Sequence, residues 1–182
     1  MRIIAGIAKG HTLKVPKDGV RPTSERVRES IFNRLNSEEI TWSSTCVLDL
    51  FAGSGAFALE ALSRGATLAT AVDQSRSSVS VIRENSVKTK LDVNIIQADA
   101  FNLVPARLPN QYDLVFIDPP YEVANEDITQ LIARLKSNET LKEHGTCIIE
   151  RSNKTEDLDV PDAFRIVDAR NHGDTRLIWL IW

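Results

Sequence analysis

Thr45-Cys46-Val47-Leu48-Asp49-Leu50-Phe51-Ala52-Gly53-Ser54-Gly55-Ala56-Phe57-Ala58 is the stretch on which the fold turns. Cys46 to Phe51 is a short apolar run that reads as a strand. Ala52-Gly53-Ser54-Gly55 then turns the chain into a helix running to about Arg64-Gly65. Gly53, Gly55 and Ala58 stand in the G-x-G-x-x-G/A spacing, in which glycines let the backbone approach a ligand and the N–H groups of the helix start face it. Downstream the alternation repeats. Leu68 to Asp73 reads as a second strand, Ser75 to about Lys88 as a helix, Val93 to Asp99 as a third strand and Tyr112 to Ile117 as a fourth. A helix over about Glu126 to Lys136 precedes a fifth strand, Gly145 to Glu150. Phe164 to Ala169 and Thr175 to Ile181 close the chain as two further strands.

Strands that are apolar throughout, alternating with helices, imply an α/β fold whose mostly parallel sheet is covered by helices on both faces. The last two strands are joined by only a few residues. They must pair antiparallel, because a parallel crossover needs a dozen or more. The expected architecture is a Rossmann-like, seven-stranded sheet ending in an antiparallel hairpin.

Ligands of such sheets bind beyond the carboxyl ends of the strands, and acids collect there. Asp73, 18 residues after Gly55, can accept both hydroxyl protons of a ribose; Gln74 follows it. To this point a dinucleotide and S-adenosylmethionine fit equally well. Asp49 shifts the balance. A carboxylate near the glycine loop suits an ammonium and a sulfonium, whereas beside a pyrophosphate it repels. Asp99, followed by Ala100, can accept an adenine amine.

The most specific feature is Asp118-Pro119-Pro120-Tyr121 at the end of the fourth strand. The Asp118 carboxylate and the Pro119 carbonyl are two acceptors for the two hydrogens of an exocyclic amine. An amine held so has its lone pair freed from the ring plane. Tyr121 offers a flat face to the base, and such stacking contributes about 1–3 kcal/mol. Proline stiffens the backbone, so the acceptors are positioned before the base arrives. The chemistry expected is in-line methyl transfer from a sulfonium to an aromatic amine, which needs orientation more than strong base and no metal. His11, His144 and His172 are widely spaced and read as ordinary surface or turn histidines, and no Cys/His cluster stands among them.

Upstream, Ser24 is an N-cap candidate for a helix whose Val27, Ile31 and Leu35 lie four apart. Residues 1–35 hold eight basic and three acidic side chains, a balance of +5, whereas the remainder stands at −8. This divides the chain into a basic N-terminal extension, 1–35, made of extended pieces plus a helix, and a body, 36–182. The basic segment suggests a polyanion partner for the arm alone. Across all 182 residues, 42% are apolar and 26% charged, which fits a globular domain. No apolar run approaches the roughly 20 residues that cross a bilayer. Cys46 and Cys147 sit in apolar runs and read as two reduced, buried thiols of a cytoplasmic protein.

Together these motifs resemble class I S-adenosylmethionine-dependent methyltransferases, and over nearly its whole length the chain resembles the RsmD family of bacterial 16S rRNA guanine-N2 methyltransferases. The matching stretches are Arg2 to Gly6 with Lys9-Gly10, Arg21-Pro22-Thr23 through Arg26-Val27-Arg28-Glu29 to Ile31-Phe32-Asn33, Asp49 to Gly55, Glu60 to Ala66, Asp118 to Tyr121, and Gly173-Asp174-Thr175. The resemblance implies that Asp49, Phe51, Ala52, Gly53, Ser54 and Gly55 line the methionine end of the cofactor. It further implies that Asp73 with Gln74 holds the ribose, that Asp99 with Ala100 holds the adenine, and that Arg21-Pro22-Thr23 caps the cofactor. Asp118, Pro119, Pro120 and Tyr121 would form the target-base site. Arg2, Lys9, Lys14, Arg21 and Arg28 would meet rRNA phosphates, and the substrate would be a small-subunit assembly intermediate met by a monomer. The chain departs from the family at Asp73, where Glu is common, around Phe57-Ala58, and at His11 and His172. Three other readings share some of these residues: an adenine-N6 DNA methyltransferase with the same Asp-Pro-Pro-Tyr corner, a non-catalytic RNA-binding assembly factor on a relic fold, and a nicotinamide dehydrogenase.

Overall fold

The computed structural model describes residues 1–17, 24–38, 40–103, 107–108 and 110–182. Arg21 and Thr23, expected at the RNA and the cofactor, lie outside them. The strands are β1 (Cys46–Leu50), β2 (Leu68–Asp73), β3 (Asn94–Gln97), β4 (Tyr112–Ile117), β5 (Leu141–Ser152), β6 (Arg165–His172) and β7 (Thr175–Ile181). They form one seven-stranded sheet in the order β3-β2-β1-β4-β5-β7-β6. The five strands from β3 to β5 pair in parallel, and β7 pairs antiparallel with both β5 and β6. The mostly parallel sheet with an antiparallel terminal hairpin is the architecture expected from the pattern of strand lengths and gaps. The order reverses between β1 and β4, so a crevice opens there beyond the carboxyl ends.

The helices are α1 (Glu25–Ser37), α2 (Ala56–Ser63), α3 (Arg76–Thr89) and α4 (Asn125–Ser137). Side chains alternate across each strand, so the two faces build two cores. Val47, Phe116 and Trp179 face α1 and α2, together with Ile82 of α3. Leu48, Val115 and Leu180 face α4. α1 opens on Ser24, whose hydroxyl accepts the Val27 amide, as its position predicts. Its Phe32 and Leu35 are fully buried in the same cluster as the sheet, so the basic extension shares a core with the body. None of the described helices is long and apolar enough to cross a membrane.

Several element boundaries differ from the pattern: β6 runs on to His172 rather than ending at Ala169, and β3 spans only Asn94–Gln97. β5 starts at Leu141 rather than Gly145, because Lys142-Glu143-His144 is a charged beginning to a strand whose register against β4 shifts between Tyr112 and Leu114. The N-terminal segment forms no named strand. A single Arg2–Thr12 bridge and the bonds from Ile3 N to His11 O and Leu13 N to Met1 O fold it back on itself.

Candidate active site

The loop after β1 is built from left-handed residues: Phe51 (φ 62°), Gly53 (φ 54°) and Gly55 (φ 75°). A left-handed non-glycine residue costs about 1–2 kcal/mol, and Phe51 is held there with its ring against Phe101, 5.3 Å between centroids. Gly55 also needs its missing side chain, since a Cβ would come within 3.0 Å of Ile82 on α3. The Gly53 amide donates to Asp73 Oδ2 at 2.8 Å, and the Ser75 amide donates to Asp73 Oδ1 at 2.8 Å. Asp73 is thereby fixed in one orientation, and a carboxylate's remaining lone pairs stay available to hydroxyl groups.

A cavity of about 620 Å³ opens at these strand ends. Phe51, Asp73, Gln74, Asp99 and Ala100 line one side, and Asp118, Pro119, Pro120 and Tyr121 line another. The structure thus brings the Asp118–Tyr121 corner and part of the expected cofactor set to one cavity. Asp99 is held by the Phe101 amide at 3.0 Å and by Asn102 Nδ2 at 2.6 Å. Asp49, Ala52, Gly53, Ser54 and Gly55 are buried beneath the cavity rather than on its wall. Asp49 Oδ2 accepts the Ala58 amide at 3.1 Å at the start of α2, whereas its Oδ1 is buried without a hydrogen bond among the described residues. Burial pushes the Asp49 carboxyl up to about 7, against the lowering effect of the Ala58 amide and with a smaller upward contribution from Asp73.

The proline corner is braced from behind. The Val123 amide donates to Pro120 O at 3.1 Å, and buried Arg151 donates through Nη2 to Val123 O at 2.6 Å. The Tyr121 hydroxyl meets Thr175 Oγ1 at 3.4 Å, and Thr175 Oγ1 donates to the buried Glu150 Oε1 at 3.2 Å. Glu150, Thr175 and the hairpin residues His172, Gly173 and Asp174 also line the cavity. The sequence alone assigns Gly173-Asp174-Thr175 no role. The usable signal was that the β6–β7 hairpin returns to the same sheet end as Asp118. His172, read as an ordinary turn residue, is a wall of the cavity.

The expected RNA contacts fall into three groups. Arg2 and Lys9 are exposed, with Arg2 Nε 3.5 Å from Glu25, and Lys14 is paired with Glu84. Arg28 corrects the expectation: it is fully buried, donates to the Arg2 carbonyl, and is not on the surface to meet a phosphate. Burial lowers its pKa, opposed chiefly by Glu60. Its spacing contains the reason. Arg28 lies three and four residues before Ile31 and Phe32, on the helix face that packs inward. The thiols also differ from expectation, since Cys147 is buried and Cys46 only half-buried.

The residues present fit a sulfonium nucleoside. Two carboxylates, Asp73 and Asp99, suit hydroxyl and amine donors, the Phe51 ring suits an adenine, and the Asp49 oxygen without a hydrogen bond lies under the loop.

Comparison with known proteins places this geometry. The ribosomal RNA small subunit methyltransferase D of Haemophilus influenzae is 31% identical over 179 residues, covering 95% of this chain and 89% of that one. The protein of the same name from Buchnera aphidicola subsp. Baizongia pistaciae is 32% identical over 164 residues, covering 88% and 81%. The solved structure of the Escherichia coli chain yhhF superposes with a TM-score of 0.80 at 30% identity, covering 100% of this chain and 97% of that one. A family model described as Conserved hypothetical protein 95 matches residues 1–181. With the match running almost end to end, the chain belongs to that family, the RsmD family of class I methyltransferases.

Proposed function

We propose that this chain transfers a methyl group from S-adenosyl-L-methionine to the exocyclic N2 amine of a specific guanine in 16S rRNA. One observation carries the reading: a single cavity of about 620 Å³ is lined both by the Phe51–Asp73–Asp99 side and by the Asp118–Tyr121 corner. That volume falls in the range of ligand pockets. When bound, S-adenosylmethionine supplies an electrophilic methyl group on a positively charged sulfur. The chain's own residues do the rest. Asp73 engages the ribose and Asp99 the adenine amine. Asp118 and the Pro119 carbonyl take the two hydrogens of the guanine amine, turning its lone pair out of the ring plane. Tyr121 holds the purine by its face, with its hydroxyl in a long contact to Thr175, which in turn donates to Glu150. Asp118 takes up the proton that the amine sheds once the new N–C bond has formed. Orientation of this kind is worth several kcal/mol of barrier.

The substrate is rRNA within a small-subunit assembly intermediate, met by a monomer in the cytoplasm. Residues 1–35 form its RNA-facing extension and residues 36–182 its catalytic body. The net +5 of the extension against −8 elsewhere supports that orientation. The test is incubation with labelled S-adenosylmethionine and small-subunit particles from cells lacking this gene, followed by mass spectrometry of the rRNA nucleosides. N2-methylguanosine is expected at one position. Methyladenine in DNA would overturn the assignment in favour of an adenine-N6 enzyme. Absent affinity for S-adenosylhomocysteine would favour a relic fold.

A further inference from the structure

Two of the depressions that share a wall with the cavity differ in charge. On one side α1 continues the wall. Val27 lines the cavity, and Ser30, Ile31 and Arg34 line a second groove of about 410 Å³ whose far wall is β6. His172 lines both, so the groove adjoins the cavity at His172. On the other side Tyr121 is the shared wall with a third cavity of about 510 Å³.

In the α1–β6 groove the charges balance. Arg34 is tied to Asp168 and to Glu38, the latter at 2.8 Å, with its guanidinium 4.2 Å above the Trp179 ring. Arg170 shares Asp168 through Nε alone, and its side chain is 73% exposed. Its two terminal nitrogens make no hydrogen bond among the described residues. Arg26, exposed and without an ion pair among the described residues, stands i−4 and i−8 from Ser30 and Arg34 on the same helix face. From Ser24 to Arg34 the helix covers roughly 15 Å, enough for a short run of nucleotides rather than one base. The cavity behind Tyr121 instead carries Glu126, Glu156, Asp157 and Asp159 against Arg151, with Asp157 also tied to Arg176, so acids remain in excess. A polyphosphate chain is repelled there, since like charges juxtaposed at a contact are unfavourable.

Resting on the rRNA reading above, we propose that the RNA strand flanking the target guanine leaves the cavity past His172 and lies in the groove between α1 and β6. Its phosphates sit against Arg26 and Arg170, and the acidic cavity behind Tyr121 takes no RNA. The sequence pattern places RNA on Arg2, Lys9, Lys14, Arg21 and Arg28; this assigns the flanking strand to the α1–β6 groove, through Arg26 of the same extension and Arg170 of the body.

The experiment measures binding without chemistry, so its failure is distinct from failure of the methylation reading. Small-subunit rRNA, both stripped of protein and in particles from cells lacking the gene, is titrated at several salt concentrations. The wild type is compared with Arg26→Gln, Arg170→Gln, the double variant and Glu156→Gln. Each lost phosphate contact makes the slope of log affinity against log salt less steep by about 0.7 on a single strand. The double variant should therefore flatten it by about 1.4, with S-adenosylhomocysteine affinity unchanged. Glu156→Gln should leave the slope as it is. Ultraviolet crosslinks should fall within residues 165–172. An unchanged slope in the double variant, or crosslinks within residues 153–159 instead, overturns the groove. Groove binding by a protein that methylates no guanine would keep this inference and sink the other.

Discussion

Asp49 carries one carboxylate oxygen on the Ala58 amide and one with no hydrogen bond, wholly inside the protein. Burial raises its carboxyl from 3.8 to about 7, so the folded state holds the proton more tightly than the unfolded chain does. The contribution of this group to stability is therefore full below pH 3.8, falls as pH rises towards about 7, and is flat beyond. Asp49→Asn should gain stability over the cofactor-free wild type at pH 8 and gain less at pH 5, read by urea unfolding. Equal differences at the two pH values would show that Asp49 does not titrate in that range. The wild type's affinity for S-adenosylhomocysteine should rise from pH 6 to 8, because only the ionised form attracts an ammonium, and Asp49→Asn should lose the rise. At the corner, Asp118→Ala should lower kcat on the order of 10²–10³-fold while S-adenosylhomocysteine affinity holds. Collapse of that affinity as well would make Asp118 a structural residue. Tyr121→Phe should be mild, since its hydroxyl bond to Thr175 is a long 3.4 Å, and Tyr121→Ala severe. Equal losses would transfer the role from the ring face to the hydroxyl.

At the scale of elements, the N-terminal segment is clasped onto α2. Buried Glu60 accepts the Ile4 amide at 2.7 Å and the Ala5 amide at 3.0 Å, and is itself paired with Arg64 at 2.8 Å. One turn on, Ser63 O accepts the Ile7 amide at 2.8 Å. Gly6 sits between these contacts at φ 81°, and a Cβ there would lie 1.7 Å from that carbonyl. Gly6→Ala should therefore detach the segment, costing about 2–4 kcal/mol and speeding amide exchange at Ile4, Ala5 and Ile7. Unchanged exchange at those three amides would show that the clasp does not depend on this glycine. None of this was legible beforehand. Glu60 reads as an ordinary helical acid paired with Arg64, and the Ile4 and Ala5 amides it accepts lie more than 50 residues away. β1 to β4 and β7 were legible to within a residue or two, because an apolar run bounded by turn residues is a local signal, whereas polar Arg170, Asn171 and His172 hid the end of β6. The early start of β5 was hidden by Lys142, whose charge is neutralised by Asp113 of β4 at 2.9 Å.

At the scale of the whole molecule, the two cores are separated by one sheet, and Cys147 of β5 lies in the core that faces α4, with its thiol pushed up to about 12 by burial. Cys46 is half-buried, and burial, the largest cause, also raises its pKa. A thiol reagent at neutral pH should label Cys46 through local opening and Cys147 only at the rate of global unfolding, so that denaturant accelerates the second in step with loss of circular dichroism. Labelling of both thiols at one rate would show that the β4–β5 region opens on its own. The amino-acid sequence by itself determined the strand and helix content, the parallel sheet with its returning hairpin, and the residue types gathered at the strand ends. These rest on periodicity, turn chemistry and connection length, which are properties of neighbours along the chain. Only the tertiary structure decided that Arg28 faces inward, that His172 and Thr175 wall the cavity, and that one flank of it is acidic and the other balanced. Each of those depends on residues distant along the chain, and charge and exposure become defined only once the layers have packed around them.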